Sequence, residues 1–146
     1  MKDLNRKEVF RWVWPGAAVL LLDRLIKGLH LTMSGDRTVR NSGMAFGMFQ
    51  GNSAAILILS LFLLAACFFL VRKSRPSGLS PIALSMIAGG ALGNMIDRVL
   101  YGYVIDMFPF FGWFVFNLAD AGVVVGAILC GWSLLFRPQD WSAKKK

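Results

Sequence analysis

The sequence predicts an all-α polytopic membrane protein with four transmembrane helices and small loops on the outer face. Three observations carry this. The 146-residue chain is 56% hydrophobic and has only eight acidic residues, too little polar surface for a soluble domain of its size. Four apolar runs, about residues 12–31, 54–71, 81–100 and 118–136, each approach the ~20 residues that cross a bilayer as a helix. The basic residues alternate between loops. Lys2, Arg6, Lys7 and Arg11 precede the first run, Arg72, Lys73 and Arg75 separate the second from the third, and Arg137 and Lys144–Lys146 follow the fourth. That alternation places both termini and the middle loop in the cytoplasm. It also accounts for the net charge of +8 as topology and contact with anionic lipid, not a nucleic-acid site. Residues 1–146 read as one integral membrane domain.

The first run is basic, then apolar, like a secretory signal. It is nevertheless long, carries Asp23, Arg24 and Lys27, and shows no small-x-small cleavage site before Asn41, so it reads as retained. Asp23 and Lys27, at i,i+4, can pair within the helix. The outer loop after it, about residues 32–53, contains "RNSGMAFGMFQGN". The second run is almost wholly apolar. The third begins with Ser80 as expected N-cap and Pro81 as expected first helical residue, and Gly102 is its expected stop. Ser85, Gly89 and Gly93 recur every four residues and form a small-residue face for close helix packing. The second outer loop, about residues 101–117, is aromatic. It contains Tyr103, Val104 and Ile105, which favour a short β segment at the headgroup level. In the fourth run Asn117 is the expected N-cap and Asp120 the third helical residue, an aspartate variant of the capping box. Cys67 and Cys130 fall inside runs and read as apolar-like thiols.

Charges inside a span cost roughly 2.5–3.5 kcal/mol each, so those retained need a reason. Asn94, Asp97 and Arg98 sit near the outer end of the third helix and read equally as a polar knot or as substrate contacts. Asp106 and Asp120 have no basic partner close in sequence. One follows the third helix and the other opens the fourth. A short antiparallel connection brings those ends together at one depth. Two carboxylates in a poorly hydrated place can share a proton, one activating water while the other hydrogen-bonds a scissile carbonyl. The plainer reading is a loop acid plus a helix-start acid. The single histidine, His30, leaves no H-E-x-x-H zinc site. A serine–lysine dyad of Ser42 with Lys27 stays open.

Taken in order, "NSGMAF" (Asn41–Phe46), "GGALGNMIDRVLYGYVIDM" (Gly89–Met107) and "FNLAD" (Phe116–Asp120) resemble the signature boxes of the lipoprotein signal peptidases, the bacterial membrane aspartyl peptidases also called signal peptidase II. Asp23 and Lys27 match that family's D-x-x-x-K element. The resemblance implies that Asp106 and Asp120 are catalytic. It implies that Asn41, Gly43, Asn94, Asp97, Arg98 and Asn117, with Asp23 and Lys27, line or support the site. It implies an enzyme of the bacterial cytoplasmic (inner) membrane, active at the outer face without metal or organic cofactor. The substrates would be lipidated prolipoproteins, cut before the diacylglyceryl-modified cysteine. Membrane lipids would be its surroundings, and no nucleic acid or obligate protein partner is implied. Two features depart from the family pattern: Met107 stands where Phe is more usual, and the segment from Asp106 to Asp120 is short.

Two rivals predict different things. A proton-coupled transporter would spread its carboxylates through the membrane's depth, whereas all but Asp23 cluster at one side. A non-catalytic assembly subunit would tolerate loss of the aspartates. The topology itself is testable with reporter fusions. Fusions at Lys73 and Lys145 are expected to read cytoplasmic and one at Asn52 external. An external Lys73 would overturn the four-span arrangement.

Overall fold

A computed structural model describes residues 6–34, 39–43, 52–74 and 78–137. Residues 44–46 of the first box and the basic residues Lys2 and Lys144–Lys146 lie outside the described residues. Four helices dominate: α1 (Arg6–Ser34), α2 (Ser53–Ser74), α3 (Ser80–Tyr101) and α4 (Leu118–Phe136). Each contains one of the expected runs. Four three-residue strands lie between them: β1 (Val39–Asn41), β2 (Val104–Asp106), β3 (Phe108–Phe110) and β4 (Phe114–Phe116).

Polarity is arranged outside-in. Large apolar side chains such as Phe10, Leu25, Phe62, Val99, Ile128 and Leu135 face outward. The fully buried side chains include Asp23, Lys27, Asp97, Asp106 and Asn117. In water this would be costly on both counts. Surrounded by hydrocarbon, it is the arrangement that satisfies both surfaces. Helix α4, at 19 residues, passes the length and composition test for a membrane span by itself, and Ala55–Phe69 in α2 is apolar but shorter. Helices α1 and α3 carry internal charges that lower their average apolarity.

Helix α3 is the centre of the bundle and packs on α1, α2 and α4. Its small-residue face is turned to α1. A Cβ added at Gly89 would run into the Gly16 backbone, and one at Gly16 into the Ser85 carbonyl. Gly93 lies against the Asp23 carboxylate. On the α4 side, a Cβ at Gly90 would strike the Ala119 carbonyl. These close approaches put the polar side chains of three helices within reach of one another.

The helix ends follow local rules with one exception. Gly102 ends α3 in the left-handed region (φ 79°), and its N–H donates to the Arg98 carbonyl. Asn117 caps α4 in a full capping box with Asp120. Ser80, the expected N-cap of α3, is instead inside the helix, and Leu79 holds the cap position without a side-chain bond. The Ser80 hydroxyl is buried and makes a 2.8 Å hydrogen bond with the Ser133 hydroxyl of α4. A buried partner across the bundle displaces the local cap.

Strand β1 pairs antiparallel with β2, Val39 opposite Asp106 and Asn41 opposite Val104. Strands β3 and β4 form a hairpin, with Phe108 opposite Phe116 and Phe110 opposite Phe114. Its turn has positive φ at both Phe111 (46°) and Gly112 (76°), the twist that suits a tight hairpin. The short segment between the two aspartates is thus mostly a compact aromatic hairpin. Met107 begins it, its N–H donating to the Phe116 carbonyl at 3.1 Å.

Packing at α3 makes a directional prediction. Gly90→Ala should destabilise the bundle by about 1–3 kcal/mol, the usual cost of overpacking. Gly131→Ala, where an added methyl meets nothing within 4 Å, should be neutral. Thermal unfolding in detergent measures both.

Candidate active site

The site is built where the C-terminal end of α3 and the N-terminal end of α4 meet the β1–β2 pair. Asp106 is the last residue of β2 and is 1% exposed. Its Oδ1 accepts from the Asn117 side-chain amide at 2.7 Å. Its Oδ2 accepts from the Asn41 amide at 2.9 Å. Asp120 lies in the first turn of α4. Its Oδ1 accepts from the Asn94 amide at 2.6 Å, and its Oδ2 from the Asn117 backbone N–H at 3.2 Å. Asn117 therefore touches both carboxylates. It also donates to Asn94 Oδ1 at 3.1 Å, while its own Oδ1 accepts from the Asp120 N–H at 2.9 Å. Two amides and a helix cap tie the two acids into one network.

The rim of this network is equally specific. Asn41 Oδ1 accepts from the Gly43 N–H at 2.9 Å, which fixes the Asn41 amide toward Asp106. Arg98 donates to the Gly43 carbonyl at 3.0 Å and to the Asn94 carbonyl at 3.3 Å. It thereby joins the loop after β1 to α3.

Beneath it lies a buried cluster of four charges. Lys27 Nζ is 2.9 Å from Asp23 and 2.7 Å from Asp97. Arg24 reaches the same two acids, at 2.7 Å each. Two cations and two anions offset one another, with Asp23, Lys27 and Asp97 buried and Arg24 at the edge, 26% exposed. The cluster also reaches upward. Lys27 donates to Asn94 Oδ1 at 3.3 Å. Asp23 Oδ1 accepts from the Ala119 N–H at 3.0 Å, one residue before Asp120. Asp97 Oδ2 accepts from the Ile105 N–H at 3.2 Å, one residue before Asp106.

Electrostatics distinguish Asp106. Burial disfavours its charge, and the neighbouring Asp120 carboxylate adds to this. Hydrogen bonds from Asn41 and Asn117, and the Lys27 charge, act the other way. Burial prevails, and the pKa is pushed up to about 6. The group thus holds a proton under mildly acid conditions in which an ordinary aspartate has lost it.

Asp106, Asp120, Asn41, Gly43, Asn94, Arg98 and Asn117 come together in the upper network, and Asp23, Lys27 and Asp97 in the cluster below. Asn94, Asp97 and Arg98 are linked, Arg98 through the Asn94 carbonyl and Asp97 through Lys27. Asp97 turns to α1, whereas Arg98 turns to Gly43, because adjacent helical positions diverge by about 100°. The Ser42–Lys27 dyad has no support. Lys27 is 2% exposed and its ammonium is engaged by Asp23, Asp97 and Asn94, while Ser42 is exposed. Sequence reasoning counted Arg24 only as a charge within the first span and missed its bridging role. Its place beside Asp23 in an apolar run was the available signal.

Carboxylates paired through shared amides, on a bundle with an apolar exterior, define a class: a membrane enzyme with acid–base machinery. A family model described as signal peptidase (SPase) II matches residues 16–136, and the chain belongs to that family of aspartic peptidases. It is 36% identical over 129 residues to a lipoprotein signal peptidase of Halothermothrix orenii, covering 76% of this chain and 86% of that one. It is 44% identical over 102 residues to a lipoprotein signal peptidase of Syntrophomonas wolfei, covering 70% of this chain and 65% of that one. A solved bacterial membrane enzyme superposes with a TM-score of 0.76 at 26% identity, covering 93% of each chain.

The raised pKa can be tested directly. At pH 5 the infrared carbonyl band of a protonated carboxyl should be present, and it should fade as pH rises through about 6. Asp106→Asn should remove it. The folded protein holds this proton more tightly than the unfolded chain, so Asp106 favours folding at acid pH. That contribution is lost as pH climbs from about 4 through about 6.

Proposed function

We propose that Asp106 and Asp120 are the catalytic pair of an endopeptidase that removes the signal peptide from lipidated prolipoproteins, cutting before the diacylglyceryl-modified cysteine. Signal-peptide removal is the activity that family membership carries. The observation that supports this pair is their joint suspension from Asn117 and Asn94, with Asp106 buried and Asp120 partly so. When the pair carries one proton, we assign it to Asp106, whose charge burial disfavours. Asp120, at the start of α4 and holding two N–H donors, takes the role of base.

The reaction follows from that asymmetry. The Asp120 carboxylate takes a proton from water as its oxygen attacks the scissile carbonyl carbon. The Asp106 carboxyl hydrogen-bonds the carbonyl oxygen and stabilises the negative charge that develops there. Collapse of the tetrahedral intermediate breaks the C–N bond, and the proton held by Asp120 passes to the leaving nitrogen. The pair returns to its singly protonated state with water consumed and two peptides released.

Depth explains the substrate. In this reading all four helices cross the cytoplasmic membrane, both termini are cytoplasmic, and the site lies at the outer face. A site at that level cuts only a bond held at that level. Two acyl chains on the cysteine would hold it there, each buried CH₂ adding about 0.8 kcal/mol.

The test is purified protein with a lipidated precursor, reading release of the signal peptide. Asp106→Asn and Asp120→Asn should each lower the rate by at least ~10²–10⁴-fold while the protein still accumulates. Asn keeps the shape but can neither take nor return the proton. Substantial cleavage by either variant would refute the pair.

A further inference from the structure

We infer that Arg24 is a positioning residue that sets the placement of Asp106 relative to Asp120 by locking the Asp97 carboxylate. Arg24 falls at an unspecified position of the D-x-x-x-K element and touches neither proposed catalytic acid. It is one of two cations between the acids that anchor the site. Asp97 receives the backbone N–H just before Asp106, and Asp23 receives the one just before Asp120. The separation of those anchors is therefore transmitted to the dyad through one residue of backbone on each side.

Lys27 cannot fill this role alone. Its ammonium has three donors, and Asp23, Asp97 and Asn94 occupy them. At Asp97 it engages Oδ2, the same oxygen that accepts the Ile105 N–H. The other oxygen, Oδ1, makes no hydrogen bond among the described residues and is held by ion pairing alone, with Arg24 Nη1 2.7 Å away. A carboxylate held at one oxygen can pivot, and one held at both cannot. The remaining guanidinium nitrogen, Nη2, reaches Asp23 Oδ2 at 2.7 Å and the Gly93 carbonyl at 3.1 Å. Arg24 is thus a planar brace across both anchors and the backbone of α3, a geometry that a point-charge ammonium cannot copy. Without Arg24, Asp23 is still held at both oxygens, by Ala119 and by Lys27, whereas Asp97 is held at Oδ2 alone, so the effect should fall on the Asp97–Ile105–Asp106 side. The Arg24 charge also brings the cluster to neutrality against two carboxylates.

The inference rests on the proposed catalytic pair, and the experiment separates the two. Parent activity with loss in Asp106→Asn tests the pair, and the Arg24 variants test the brace. Arg24→Lys retains the charge but offers a single nitrogen, and Arg24→Gln removes the charge. Both should lower kcat roughly 10–100-fold, the scale of a small misplacement, with KM within about twofold. A pair that acts with one proton gives activity that falls where it is doubly protonated or doubly ionised. That bell-shaped profile should narrow in Arg24→Lys, because the two macroscopic pKa values of a less tightly coupled pair draw together. A purely structural role would lower the melting temperature and leave kcat and the profile width unchanged. Parental kcat in Arg24→Lys would overturn the inference by showing that charge suffices. A change confined to KM would overturn it by making Arg24 a substrate contact. If Arg24→Gln fails to accumulate, Arg24→Lys decides. Failure of both to accumulate would place Arg24 in folding and count against the brace.

Discussion

Four charges from two helices, two of each sign, meet in the bundle, three of them buried and Arg24 at the edge. Each would be prohibitively costly alone in such a place. Together Asp23, Arg24, Lys27 and Asp97 form a neutral cluster with contacts of 2.7–2.9 Å, and the rest of the site is hung from it. Breaking one member leaves a buried charge uncompensated, which is far costlier than the intact cluster. The chain must therefore bring α1 and α3 together in one register before the outer site can form. Once they are together, Asp23 and Asp97 have spare lone pairs. Those lone pairs take up the backbone N–H groups preceding Asp120 and Asp106. Neutralising the interior and placing the active acids are one event.

That event depends on small residues. Long ion-pairing side chains reach across a helix interface only when the backbones are close. Gly16, Ser85 and Gly89 bring α1 onto α3, and Gly90 brings the start of α4 onto α3 at Ala119. In hydrocarbon there is no hydrophobic force between helices, so close packing and interhelical polar contacts supply the association. Here both act on the same faces. Gly93, whose missing side chain leaves room for the Asp23 carboxylate, is the point where they coincide.

The short strands continue this logic at the end of the bundle. Strand β2 is buried on all three residues and carries Asp106, whereas the β3–β4 hairpin that follows is largely exposed and aromatic. Phe111 and Trp113 at its tip are 87% and 86% exposed, suited to the amphipathic headgroup level. The hairpin lets a short connection return directly to Asn117, whose cap then joins both acids. A longer loop would need another device to fix that return.

Much of this was legible in the sequence because it obeys rules that act over a few residues. Apolar runs, the Gly102 stop, the Asn117–Asp120 box and the small-residue face of α3 are all local patterns. So was the oddity of paired carboxylates beside apolar segments. Ser80 misled for the opposite reason: its local capping preference lost to a hydroxyl 53 residues away. Arg24 and the Asp23–Ala119 anchor were invisible because their partners lie 69 to 96 residues off, across helix interfaces. The sequence by itself determined which segments leave water and which residues are too costly to bury unpaired. Only the tertiary structure decided who pairs with whom. Several acids and bases satisfy the same local rules, and helix packing alone selects the set that ends at 2.7–3.3 Å.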